Sequence, residues 1–104
     1  MEPANILKIE SLDSGWCDKD QVMLHACFQL LKDCIEKENL LNGDTDWEHD
    51  EKHRNAKVEL TTLYKWWIER VKNDDEIDPL TSVQFDEDSE MLIRLINVRW
   101  ALWT

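Results

Sequence analysis

The sequence predicts an all-α protein, a small three-helix bundle with a long central helix. Glycine and proline occur only twice each in 104 residues, which argues against the turn-rich strands of a β sandwich or barrel. In three separate stretches the apolar residues recur at the three- and four-residue steps of a helix. The length fits one domain around one core, so residues 1–104 are read as a single helical unit.

Residues 1–17 are expected to form an irregular N-terminal arm, and residues 18–40 helix 1, with Asp18 or Asp20 as its cap. In helix 1, Met23, Leu24, Cys27, Phe28, Leu30, Leu31, Cys34 and Ile35 fall on one wide apolar arc. His25, Gln29, Lys32, Asp33 and Glu36 fall on the other side. The stretch LLNGD then interrupts the pattern, with Asn42 and Gly43 as the turn. Helix 2 is expected over 45–72, capped by Asp44 or Thr45. Its stripe runs Ala56, Leu60, Leu63, Tyr64, Trp67, Val71, and extends backwards onto His53 and His49. Arg54, Lys57, Lys65 and Lys72 share a separate polar face. Residues 73–87 read as an acidic loop in which Val83 to Phe85 could lie extended. Helix 3 is expected over 88–103, capped by Asp86 or Asp88, with Met91, Leu92, Leu95, Ile96, Leu102 and Trp103 facing one way.

Charge narrows the partners. Twelve Lys and Arg against 23 Asp and Glu leave a formal net charge of −11. Direct binding to nucleic acid or to an anionic membrane is therefore not expected. A basic protein partner or mimicry of nucleic acid fits the sign. No apolar run approaches the 18 or so residues of a membrane span, and the opening MEPANILKIE lacks the pattern of a signal peptide. The three cysteines show no zinc spacing. Cys27 and Cys34 stand about 10 Å apart along a helix axis, beyond the roughly 7 Å that a disulfide spans. Reduced thiols in a cytosol are the expectation.

The segment DWEHDEKHRNAKVEL places His49 and His53 one helical turn apart, a spacing that can serve one metal ion. HDEKH differs from the HExxH zinc pattern because Asp50 follows the first histidine. Asp50 and Glu51 project to other faces, and a third ligand would have to come from Glu38 or His25. No metal or cofactor is therefore expected. Asp44, Asp46 and Glu48 sit where a helix N-terminus favours negative charge, balanced by Arg70 and Lys72 at the far end. Arg99 falls within the apolar arc of helix 3. If buried, a guanidinium there needs a carboxylate such as Glu38, Glu48 or Asp50, carbonyls, or an anionic ligand; otherwise it snorkels to solvent at the helix end. If His49, His53 and Arg99 converge, they form a cationic pocket suited to phosphate or carboxylate. Trp47, Trp66 and Trp100 point off the apolar stripes and are candidate interface residues. Glu48 and Glu51 form one ExxE, without the second acidic motif of a magnesium nucleotide hydrolase. There is no Gly-rich phosphate loop or nucleophile elbow, so no enzyme activity is expected.

Three blocks, LHACFQLLKDCIEKE, DWEHDEKHRNAKVELTTLYKWW and DEDSEMLIRLINVRWALWT, together resemble a family of small uncharacterised proteins of tailed bacteriophages and prophages. The resemblance covers about Val22 to Thr104. It implies a phage protein acting in the bacterial host cytoplasm and brings no catalytic residues with it.

The leading expectation is a non-enzymatic phage accessory protein that binds a host or phage protein through aromatic and acidic surface. A small anionic-ligand or nucleotide binder using His49, His53 and Arg99 is the runner-up. An acidic nucleic-acid mimic comes third, because the basic face of helix 2 interrupts the negative surface that a mimic requires. A homodimer is left open.

Overall fold

A computed structural model describes residues 7–12, 19–42, 46–73 and 81–102. The expectations for residues 1–6 and 13–17 of the arm, Cys17, Asp18, Gly43, Asp44, Thr45, residues 74–80 of the acidic loop and Trp103 lie outside these residues. Within them the chain is an all-α three-helix bundle: α1 spans Lys19–Glu36, α2 Glu51–Lys72 and α3 Ser82–Val98. Short 3-10 turns follow α1 at Leu40–Asn42 and α3 at Arg99–Leu102.

The centre is built from the stripe of α2. Ala56, Leu60, Leu63 and Trp67 are buried against Leu24, Phe28 and Leu31 of α1 and Met91, Leu95 and Val98 of α3. Phe28 stacks on Trp67 with centroids 4.9 Å apart, and the His25 imidazole meets the same indole edge-on at 4.8 Å. Aromatic pairs of this kind add about 0.5–1.5 kcal/mol beyond the area they bury. Phe28 meets Trp67 while Tyr64 donates its hydroxyl to Glu36 at 2.6 Å. Likewise Trp66 reaches Glu87 while Glu59 reaches Arg94. Each set of pairings runs in opposite directions along the two helices, so α2 is antiparallel to both neighbours. Hence α1 and α3 run parallel, side by side.

Helix ends differ from expectation, each for a local reason. α2 begins at Glu51, later than expected, because Asp46 engages its own turn. Asp46 accepts from the Glu48 amide at 3.1 Å, and the His49 amide donates to its carbonyl. Such Asx turns compete with helical hydrogen bonding. Asp50 then caps the helix, accepting from the His53 amide at 2.8 Å. α3 begins at Ser82, earlier than expected, with Thr81 as its cap. Thr81 accepts from the Gln84 amide at 3.3 Å, and TSVQ carries the Thr and Gln of a capping box. Val83 to Phe85 are therefore helical, not extended, and Asp86 and Asp88 lie inside the helix. α1 stops at Glu36, and Asn39 turns the chain with a left-handed φ of 54°, a conformation that asparagine tolerates better than most residues.

The largest correction concerns α1. His25 and Gln29, expected on the wet side, are buried, whereas Met23 and Leu30, expected inside, are exposed. The reason is a second layer. Residues 7–12 lie over the His25–Gln29 face, with Ser11 Oγ 2.7 Å from His25 Nδ1. The Glu10 amide donates to Gln29 Oε1 at 3.1 Å. Glu10 also takes Lys32 at 2.8 Å and Lys37 at 3.4 Å, which holds its carboxyl below the usual glutamate range, chiefly through the Lys32 hydrogen bond. The polar side chains of α1 are thus satisfied by a covering segment instead of by water.

Candidate functional site

The residues singled out by sequence divide into three places. At the start of α2, Asp50 fixes His53, accepting from its amide and lying 2.7 Å from Nδ1. That engagement lowers the Asp50 carboxyl below its ordinary range, first through the His53 side chain and then through its amide. His49 meets His53 edge-on at 5.4 Å, and His53 meets Trp100 in the same manner at 5.4 Å. Lys52 Nζ sits 4.3 Å from the Trp100 ring centroid, a cation–π contact. The two histidines therefore do come together, but their neighbour is an indole. Among the described residues no three His, Cys, Asp or Glu side chains gather as a metal site.

Arg99 does not join them. It is exposed, donating to the Ile96 carbonyl at 3.3 Å, and lines a separate groove with Ile96, Asn97 and Trp100. Of the alternatives for Arg99, an exposed side chain on a carbonyl at the helix end is the one found, because α3 ends at Val98. The tighter 3-10 winding that follows changes the angular phase, so extending the α-helical stripe past Val98 misplaces what comes next. The buried guanidinium is Arg70, whose place at the end of α2 suggests only dipole balance. Arg70 Nε and Nη2 donate to Asp88 Oδ1 and Oδ2 at 3.1 and 3.2 Å, and the Gln84 side-chain Nε2 donates to Oδ1 at 2.7 Å. Arg70 is 3% and Asp88 5% exposed. An Asp in the middle of an amphipathic helix was the readable signal, once α3 was extended back to Thr81.

The tryptophans are also redistributed. Trp47 is 5% exposed, its Nε1 donating to the Leu40 carbonyl at 3.3 Å. It is core, not interface, because the Asp46 turn swings it inward. Trp66 is half-buried; it tilts against Phe28 and Trp67 and donates Nε1 to Glu87 at 2.7 Å. Trp100 is half-buried between His53 and Lys52. Trp47 is thus closed off, whereas Trp66 and Trp100 keep part of their surface, Trp100 in the lining of two grooves.

The exposed apolar surface lies elsewhere. Met23 (61% exposed) and Leu30 on α1 and Phe85 (50%), Ile93 (58%) and Ile96 on α3 are exposed, and Met23 and Phe85 meet along the line where these parallel helices join. At its N-terminal end is a groove of about 390 Å³ with Leu24 and Leu92 in its lining, beside Met23 and Phe85. Below, Cys27 and Cys34 are half-buried free thiols packed against the core. Burial raises Cys27, and pushes Cys34 up to about 12 with help from Glu38 and Asp33. Neither thiol is an activated nucleophile. Sequence reasoning placed Met23, Leu30 and Ile96 in the core because apolar periodicity cannot separate a face packed on the protein's own chain from one left open.

Comparison with family models, with curated proteins and with solved structures finds no match to this chain. No helix among the described residues is long and apolar enough to cross a membrane.

Proposed function

We propose that this chain is a non-enzymatic accessory protein of bacteriophage origin that works in the bacterial cytoplasm by binding a host or phage protein, and that it binds with the α1–α3 face. The phage and cytoplasmic parts rest on the three sequence blocks quoted above. The binding part rests on one observation: exposed Met23 and Phe85 line, with Leu24 and Leu92, one apolar groove between α1 and α3, and Leu30 and Ile96 are exposed further along the same helices. Single exposed apolar residues are ordinary, whereas a contiguous apolar strip marks an interaction surface. A photo-crosslinking amino acid placed at Met23, which lines the groove, with Thr62 on α2 as the exposed control, tests this in lysate of infected bacteria. Discrete protein adducts at Met23 and none at Thr62 are expected. Equal labelling at both, or none at either, refutes the reading.

A second reading, an anionic-ligand binder, is favoured by the His49–His53–Trp100 chain of ring contacts. Next to it, Lys52, Asn55, Arg94 and Asn97 line an open groove. It ranks second because Glu51 and Glu59 line the same groove and Arg94 is already paired with Glu59. Nucleotide-dependent thermal stabilisation that is lost in Lys52→Ala would promote it.

A further inference from the structure

The groove between α2 and α3 has a lining that selects a class of small molecule. We infer that it binds a mononucleotide, with the base between Asn55 and Asn97 and the phosphate at Lys52. This rests on the second reading above, that the groove takes an anionic ligand, and adds base and sugar to it. The groove holds about 680 Å³, within the range of small-molecule sites. Along α2 its lining runs from Glu51 to Glu59, eight residue steps or about 12 Å. Because α2 and α3 are antiparallel, its two ends differ. Lys52 meets Trp100 at one end, with Glu51 beside it in the lining. The Arg94–Glu59 pair closes the other end. Between them Asn55 and Asn97 stand on opposite walls, and buried Ala56 and Val98 form the floor.

Each part of the lining suits one part of such a ligand. The Asn55 and Asn97 side chains are exposed and make no hydrogen bond among the described residues. A carboxamide sets a donor beside an acceptor, the pattern of a nucleobase edge, and pairs with adenine at two atoms. Val58, 66% exposed in the same lining, offers the base an apolar contact that the bundle leaves open. Lys52 is in no ion pair among the described residues. Its ammonium lies 4.3 Å from the Trp100 centroid, and an indole holds a cation in place without neutralising it. The charge is therefore available to a phosphate. Glu51, also outside these ion pairs, repels a bare phosphate but accepts hydrogen bonds from ribose hydroxyls. Arg94 already serves Glu59, so the far end adds no net charge. A lining of both signs thus fits a nucleotide, which brings donors and an anion together, better than it fits inorganic phosphate.

The test titrates the full chain by calorimetry with the nucleoside monophosphate of each base, with adenosine and with inorganic phosphate. Adenosine monophosphate is expected to bind tightest, at least about tenfold tighter than adenosine or phosphate alone. Its advantage over adenosine should shrink as salt screens the phosphate. Lys52→Ala should bring it down to the level of adenosine. Asn97→Ala should weaken it about fivefold without changing the affinity for phosphate. Both positions are exposed, and circular dichroism checks that the variants fold. Amide NMR should show the side-chain signals of Asn55 and Asn97 moving with the nucleotide and not with phosphate. Equal affinity for nucleotide and phosphate, lost in Lys52→Ala, overturns the nucleotide and leaves the anionic-ligand reading standing. Nucleotide binding unchanged when Asn55→Ala and Asn97→Ala are combined overturns the placing of the base, again leaving that reading intact. Adenosine bound as tightly as its monophosphate, with no effect of Lys52→Ala, overturns the inference and the anionic-ligand reading together, as does binding of none of these molecules.

Discussion

Replacing Arg70 by Met decides which arginine the bundle depends on. Arg70 reaches Asp88 through two hydrogen bonds inside the α2–α3 contact, with side-chain exposures of 1% and 6%. Arg70→Met fills a similar volume but strips Asp88 of its cation, leaving a buried carboxylate with the Gln84 side-chain amide. Breaking a buried pair from one side costs about 3–5 kcal/mol. In a domain of this size that is a fall in Tm on the order of 10–20 °C or more, and a large share of a total stability of about 5–15 kcal/mol. Arg70→Met combined with Asp88→Leu removes both charges and should recover most of the loss, since apolar replacements of buried pairs are often neutral or better. Urea unfolding followed by tryptophan fluorescence gives the four corners of the double-mutant cycle, with an expected coupling of at least about 2 kcal/mol. Arg99→Met is the companion measurement; its side chain is exposed, so its effect should stay within about 0.5 kcal/mol. A loss below about 1 kcal/mol for Arg70→Met, or a double variant whose losses simply add, refutes the reasoning.

Other outcomes follow from particular contacts. Thr81→Ala removes the side-chain oxygen that caps α3 and should cost about 1 kcal/mol, read as a Tm lower by several degrees. Glu10 is held below its ordinary range by Lys32 and Lys37. The stability it contributes is therefore present above the usual glutamate range and lost as pH falls through the depressed value. Glu10→Gln should flatten that acid limb of the Tm–pH profile. Cys34, pushed up to about 12, should resist alkylation at pH values where free thiols react and should label readily once urea unfolds the chain. Peptide mapping after timed labelling checks this, and fast native labelling would contradict it.

The fold was legible where burial is one-sided. Ala56, Leu60, Leu63 and Trp67 are all buried as their spacing implied, because α2 packs on two helices and its stripe leaves little choice. The ends of the helices were less legible. Asp46 and Asp50 compete at the start of α2, and Thr81 competes with Asp86 and Asp88 at the start of α3; the winner depends on which turn also buries Trp47 or pairs Asp88. α1 misled most. Its His25–Gln29 face is polar in composition yet covered, and Met23 and Leu30 are apolar yet open. Residue type reports what a side chain can tolerate, while the covering segment at 7–12 is decided by tertiary hydrogen bonds such as Ser11 to His25. Of the candidate pocket, His49 and His53 do meet, but Arg99 lies on a different groove because a 3-10 turn shifted its phase.

The Arg70–Asp88 contact also sets the alignment of α3 along α2. Sliding α3 by one turn, about 5.4 Å, would bring Gln84 or Leu92 opposite the guanidinium, and neither carries a negative charge. The pair thus works as a detent that admits one register and penalises the adjacent ones. Because Phe85 is only three residues from Asp88, the same detent keeps it level with Met23 across the groove between α1 and α3.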